Sequence, residues 1–387
     1  MHEDEHNSLV VVIGDIHGRF HRVREWIAAL ESARGRTASL IVSVGDVEAF
    51  LTADDHRRKA AKRSMPAEFA DYVGGRCSFE RPLYFIGGNN EDFEALHEVP
   101  EGAEIAANLH YLGRVGTRTI AGFNLAFLSG IYAPRYVDKP LLPPTTSDAC
   151  RQAGYFRHSE VAALDHVTSA DIMLAHEWPR AIASRAHAQA RGQRRDLRAF
   201  HTPWIGNAIT RGLAETIAPQ WLFCGHSHMP FATALHHPNG AVTHIACLDQ
   251  ASRADGAVFW TEWRAGEAVL AGWGTTGEVS WRQGQPWDER RTPQSGVATR
   301  PPARRPASRR PGSPEADKPL ERPLIEYPTP AVALDRPSGA TGASGTRNAV
   351  QVTDADSTGV HATRPRDADP EQETALEAIA RTTRAGG

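Results

Sequence analysis

Five short apolar runs constrain the fold of this chain, because each is followed directly by residues of metal-ligating type. The first, LVVVI at 9–13, leads into Gly14, Asp15, Ile16, His17 and Gly18. A short β-branched run with no polar interruption predicts a parallel strand buried on both faces. At the end of an extended strand, positions i and i+2 point the same way, so the Asp15 carboxylate and the His17 imidazole converge. That oxygen and nitrogen pair suits a borderline divalent cation. Flanking glycines allow the backbone to come close to a ligand.

The motif recurs along the chain. SLIVSV at 39–44 runs into Gly45-Asp46, and LYFI at 83–86 into Gly87-Gly88-Asn89-Asn90. DIMLA at 171–175 runs into His176, and WLFC at 221–224 into Gly225-His226-Ser227-His228. Between the first two runs, Phe20, Val23, Trp26, Ile27 and Leu30 share a helical face, with Gly35 as the stop. Strand, helix, strand with so long a connection predicts a right-handed parallel unit that sets Asp46 beside Asp15. In an open α/β sheet, sites form where strands end at their carboxyl termini. Asp15, His17, Asp46, Asn89, His176, His226 and His228 all occupy such ends, whereas His110, His158 and His244 do not.

The 41% apolar content supports a sizeable core, and four widely spaced cysteines with no CxxC pair argue against a disulfide framework or a thiolate zinc site. A net charge of −3 gives no overall nucleic-acid footprint. No apolar run is long enough to span a membrane, and the polar, acidic MHEDEHNS start is unlike a signal peptide, which predicts a cytoplasmic protein with no membrane partner. Residues 115–129 predict two strands folded back at Ala121-Gly122-Phe123, and turns at 238–240 and 264–266 predict two further hairpins. Residues 131–157, rich in proline and aromatics, predict a long functional loop. The stretch 185–198 carries Arg191, Arg194, Arg195 and Arg198, which could contact phosphates. Composition predicts a disordered start at 1–8, one folded domain at 9–285, and a Pro/Arg/Ser/Gly-rich disordered tail at 286–387.

The ordered set GDIHG, GDVE, GGNNE, a lone His176 and GHSH resembles the calcineurin-like metallophosphoesterases. The segments YFIGGNNE, NLHYLGRVG, LSGIYAPRY, YFRHSEV and DIMLAHEWP are most similar to the RNA lariat debranching branch. That resemblance implies an α/β fold: a β-sandwich of two mixed sheets flanked by helices. It also implies two divalent ions, Mn, Fe or Zn, with all-N/O ligation. Asp15, His17 and His228 would hold one ion and Asn89, His176 and His226 the other, with Asp46 between them. Two such cations clamp a phosphoryl group and lower the pKa of a bridging water. The implied activity is hydrolysis of a phosphodiester, with 2′,5′-branched RNA among the substrates and the 131–156 loop contacting it. The resemblance makes Asn90, Asp46 and His17 the expected catalytic positions. Asn90 stands where the family carries histidine, and an amide cannot deliver a proton to a departing oxygen, which makes Glu91 and His17 the next candidates to supply it. The CGHSH motif is closer to general phosphoesterases than to the debranching branch. Two rival readings are a metal-holding pseudoenzyme that binds branched nucleic acid, and an enzyme acting on a small nucleotide diester. No protein partner is assigned.

Overall fold

Alternation decides which way each residue of the apolar runs faces. In a computed structural model that describes residues 7–51, 56, 66–184, 186 and 204–293, Leu9, Val11 and Ile13 pack against Phe20, Val23, Ile27 and Leu30 of the helix Phe20–Arg34. Val10 and Val12 point the other way, into an interior with Leu125, Phe127, Ile172, Leu174 and Phe223. A strand covered on both faces has no polar position to offer, which explains the unbroken run.

The strands in chain order are β1 (Ser8–Ile13), β2 (Leu40–Ser43), β3 (Leu83–Phe85), β4 (Ala103–Ala106), β5 (Leu109–Tyr111), β6 (Val115–Ile120) and β7 (Phe123–Leu128). They continue with β8 (Ile172–Ala175), β9 (Trp221–Cys224), β10 (Phe231–His236), β11 (Val242–Cys247), β12 (Val258–Arg264), β13 (Glu267–Trp273) and β14 (Trp281–Arg282). One sheet runs β14-β13-β12-β1-β2-β3-β5-β4 and the other β10-β11-β9-β8-β7-β6. Both are mixed: β1, β2, β3 and β5 are parallel neighbours, as are β7, β8, β9 and β11, while β12 joins β1 antiparallel. The outer face of the second sheet packs Met173, Leu222 and Cys224 on Leu213, Ala214 and Ile217 of the helix Ala208–Ile217. The result is the expected pair of mixed sheets face to face, with helices on both outer sides.

The three anticipated hairpins form, β6 with β7, β10 with β11 and β12 with β13. Two features differ from the reading of the sequence. Residues 131–157 hold a helix, Ser147–Ala153, whose start is capped by Thr146 accepting the Ala149 N–H at 3.2 Å. Strands β4, β5 and β14 have no counterpart in the sequence reading, because AEIA, LHY and WR carry polar residues and form no unbroken apolar run. The arginines at 191–198, the first six residues and residues 294–387 lie outside the described residues. Among the described residues, no helix is long and apolar enough to cross a membrane.

Between the sheets lies an aromatic block. Trp221 is fully buried against Phe223, Phe259, Trp281 and Trp287, at ring separations of 5.4–5.9 Å. His244 sits 4.5 Å from the Trp281 ring, and burial pushes its imidazole down to about 4 from the usual 6.5. The folded state therefore favours neutral His244, so its contribution is intact above about pH 6.5 and is lost as pH falls toward 4. Melting curves should show a wild-type loss of stability across that window, and His244→Gln should flatten it. Parallel pH profiles for the two proteins would contradict this assignment.

Candidate metal centre

Each apolar strand delivers its ligand-type residue to one edge because the loops that follow are stitched together by backbone hydrogen bonds. The His17 N–H donates to the Asp46 carbonyl at 2.8 Å, and the Gly18 N–H to the Val47 carbonyl at 3.1 Å. This sets the loop after β1 on the loop after β2. The Gly225 N–H donates to the His176 carbonyl at 3.0 Å, joining the ends of β8 and β9. The turns are tight enough that His17, Asp46, Glu48, His226 and His228 all have φ between 47° and 62°. Left-handed backbone costs a non-glycine residue roughly 1–2 kcal/mol, and such strain collects where geometry serves a site.

Four side chains meet at the centre. His228 Nε2 lies 2.8 Å from Asp15 Oδ2 and 3.2 Å from His17 Nε2. His17 Nε2 is 3.9 Å from Asp15 Oδ2 and 4.0 Å from Asp46 Oδ2. One donor atom from each of Asp15, His17, Asp46 and His228 lies within 4.8 Å of all the others. On the far side of Asp46, His176 Nε2 lies 3.4 Å from Asp46 Oδ1 and 3.3 Å from Asn89 Oδ1. The His226 ring stands 5.2 Å from that of His176, and its backbone N–H donates to the Asp15 carboxylate at 3.1 Å. All seven expected ligand positions thus gather at one edge, with Asp46 between two groups.

The donor set fits divalent cations. His17 Nδ1 is held by Glu48 Oε1 at 2.9 Å, and His176 Nδ1 by the Val44 carbonyl at 2.7 Å. Each ring donates outward through Nδ1 and so presents the Nε2 lone pair inward, the tautomer a metal ligand needs. The carboxylates have no room to turn away. A Cβ at Gly88 would stand 2.2 Å from Asp46 Oδ1, and one at Gly225 would stand 2.1 Å from Asp15 Oδ1. Burial alone would raise both carboxyls. For Asp46 the His176 and His17 imidazoles and the Asn90 amide outweigh it, and for Asp15 the His176 and His228 imidazoles do, so both stay below the ordinary carboxylate range.

Glu48 of this centre was not singled out by sequence. Glu48 orients His17, and its place two residues beyond Asp46 is the signal available in the chain. Glu91 is buried and accepts the Val47 and Gly88 N–H groups at 3.0 Å and the Glu48 N–H at 2.8 Å. Burial and the charge of Asp46 push it up to about 8.

The calcineurin-like phosphoesterase family profile matches residues 8–230, more than half of the chain, and the chain belongs to that family of hydrolases. It is similar to the lariat debranching enzyme of Drosophila pseudoobscura pseudoobscura, 27% identical over 237 residues, which is 59% of this chain and 44% of that one. The lariat debranching enzyme of Danio rerio is 30% identical over 235 residues, covering 59% and 41%. That of Homo sapiens is 29% identical over 238 residues, covering 59% and 43%. The match therefore spans less than half the length of these relatives.

Because Asp46 separates the two groups of donors, its removal should empty both. Asp46→Ala should lower the transition metal held by purified protein by close to two ions per chain. Gly88→Ala, which removes no donor group, should do the same by displacing that carboxylate. Elemental analysis showing unchanged metal in both variants would contradict the assignment.

Proposed function

We propose that the chain hydrolyses phosphodiesters at this centre, with 2′,5′-branched RNA as the favoured substrate class. The observation that carries the reading is the position of Asp46, whose two oxygens face imidazoles from different sheets. In this reading Asp15, His17 and His228 hold one divalent cation, Mn, Fe or Zn, and Asn89, His176 and His226 the second. When bound, such a pair polarises a phosphoryl group and supplies a nucleophile that is ionised near neutral pH. The protein's own part is to fix the ligands. Glu48 sets the His17 tautomer, and Asn90 clamps Asp46 through its backbone N–H at 2.7 Å and its side-chain Nδ2 at 2.8 Å.

Substrate choice is supported by the relatives and by the segment beside the site. A Cβ at Gly154 would stand 3.1 Å from Asn89 Cα, so the 131–157 segment borders the centre. In it Tyr136 and Tyr155 stack at 5.3 Å with rings 8° apart, and Lys139 lies over Tyr136 at 5.3 Å. Paired aromatics beside a cation offer a face on which bases stack.

Asn90 limits the chemistry. One of its amide hydrogens is engaged by Asp46, and an amide gives up no proton at neutral pH. Glu91 is a poor substitute, since backbone N–H groups occupy both its oxygens. A ribose 2′-oxygen should then depart slowly, while an aryl oxide, which needs no proton, departs readily. With Mn²⁺, turnover of an aryl diester should exceed that of a cyclic nucleotide and of a 2′,5′-branched RNA. Asn90→His should raise the branched RNA rate by about 10²–10⁴-fold and the aryl diester rate far less. Equal gains, or none, would contradict the general-acid account. Tight binding of branched RNA with no turnover in either protein would favour the pseudoenzyme instead.

We assign the tail no part in catalysis, on its composition. Truncation after residue 293 should leave both the melting temperature and aryl diester turnover unchanged. A fall of several degrees would show that the tail packs on the domain.

A further inference from the structure

A second group of metal-ligating side chains lies outside the centre just described. His21, in the first turn of the helix Phe20–Arg34, places Nε2 3.1 Å from Asp71 Oδ2. Cys77 completes the group, and one donor atom from each of the three lies within 4.8 Å of the other two. Sequence separates His21 widely from the others, and the packing of Phe20 on Phe69 and Tyr72 brings them together.

Each member is held in place by something else. The His21 N–H donates to Glu68 Oε2 at 2.8 Å, and its ring stacks on Tyr72 at 5.7 Å. Arg76 takes the other oxygen of Asp71, Oδ1, through Nε at 2.9 Å and Nη2 at 2.6 Å, which leaves Oδ2 aimed at His21. The Arg76 and Cys77 N–H groups both donate to the Asp71 carbonyl, at 2.8 and 3.0 Å, so Asp71 and Cys77 belong to one tight turn. Asp71 is kept below the ordinary carboxylate range, chiefly by its hydrogen bond to Arg76, and is ionised at neutral pH.

We infer that His21, Asp71 and Cys77 form a separate site for one borderline transition-metal cation, of which Zn²⁺ is the representative. A tetrahedral ion with ligand bonds of 2.0–2.3 Å keeps its donors roughly 3.3–3.7 Å apart. The three donors therefore need to move by only fractions of an ångström to about one ångström to close on it. Nitrogen, oxygen and sulfur together favour zinc over magnesium or calcium. Three protein ligands leave a fourth position for water. The His21 and Asp71 side chains are 37% and 35% exposed, so an ion can enter from solvent. An ion here would tie the start of the helix Phe20–Arg34 to the 71–77 turn.

Sulfur makes the site separately observable, because the phosphoesterase centre offers nitrogen and oxygen donors alone. Full-length protein with its first centre saturated by Mn²⁺ is titrated with Co²⁺ under reducing, anaerobic conditions. A thiolate-to-cobalt charge-transfer band should appear, saturate at about one Co²⁺ per chain, and vanish on adding Zn²⁺. Cys77→Ser and His21→Ala should each abolish the band, and Cys150→Ser should retain it. Aryl diester turnover in Cys77→Ser should match wild type, which separates this site from the first centre. No band in the wild type, or a band that survives Cys77→Ser, would overturn the inference and leave the group as a surface ion pair beside a partly buried cysteine.

Discussion

The Asp46 carboxylate is the point on which the two sheets' functional edges meet. It follows β2 of one sheet, yet its Oδ1 lies 3.4 Å from His176, which follows β8 of the other. Its Oδ2 faces His17, beyond β1, at 4.0 Å. A carboxylate that is 2% exposed remains charged because imidazoles and the Asn90 amide surround it. Its loss would remove the one group that both His17 and His176 face and the acceptor that holds Asn90. The convergence of ligands thus depends on one buried negative group as much as on the strands that deliver it.

The scaffold tolerates such a centre because the layers around it are fully packed. Both faces of β1 are covered, by the helix Phe20–Arg34 on one side and by the facing sheet on the other. Rigid strands hold the positions from which the turns spring, and the turns absorb the strain. Five non-glycine residues at or beside the centre adopt left-handed backbone, and the network of Glu48, Glu91 and stitched loop amides keeps them there. Gly88 and Gly225 serve a complementary purpose, since a single methyl at Gly88 would collide with the Asp46 carboxylate and one at Gly225 with that of Asp15.

The expected positions of Asp15, His17, Asp46, Asn89, His176, His226 and His228 were legible because each closes an apolar run, and a run's end is a local property. Glu48 was not, since its partner His17 lies 31 residues away in another loop. Nothing local distinguishes an acid that orients a distant imidazole from one that faces water. The same holds for His21, Asp71 and Cys77, which share no motif and meet through the aromatic packing of Phe20, Phe69 and Tyr72.

Sequence alone determined where the strands end, which residue types wait there, and that hairpins close at 121–122, 238–240 and 264–266. Periodicity and turn chemistry act over a few residues, so a single chain displays them directly. Tertiary structure decided that β12 lies against β1, that short β4 and β5 extend the first sheet, and that His176 reaches Asp46. Those choices depend on which buried faces fit together across long separations. They come from packing two sheets against each other, and no local pattern encodes them.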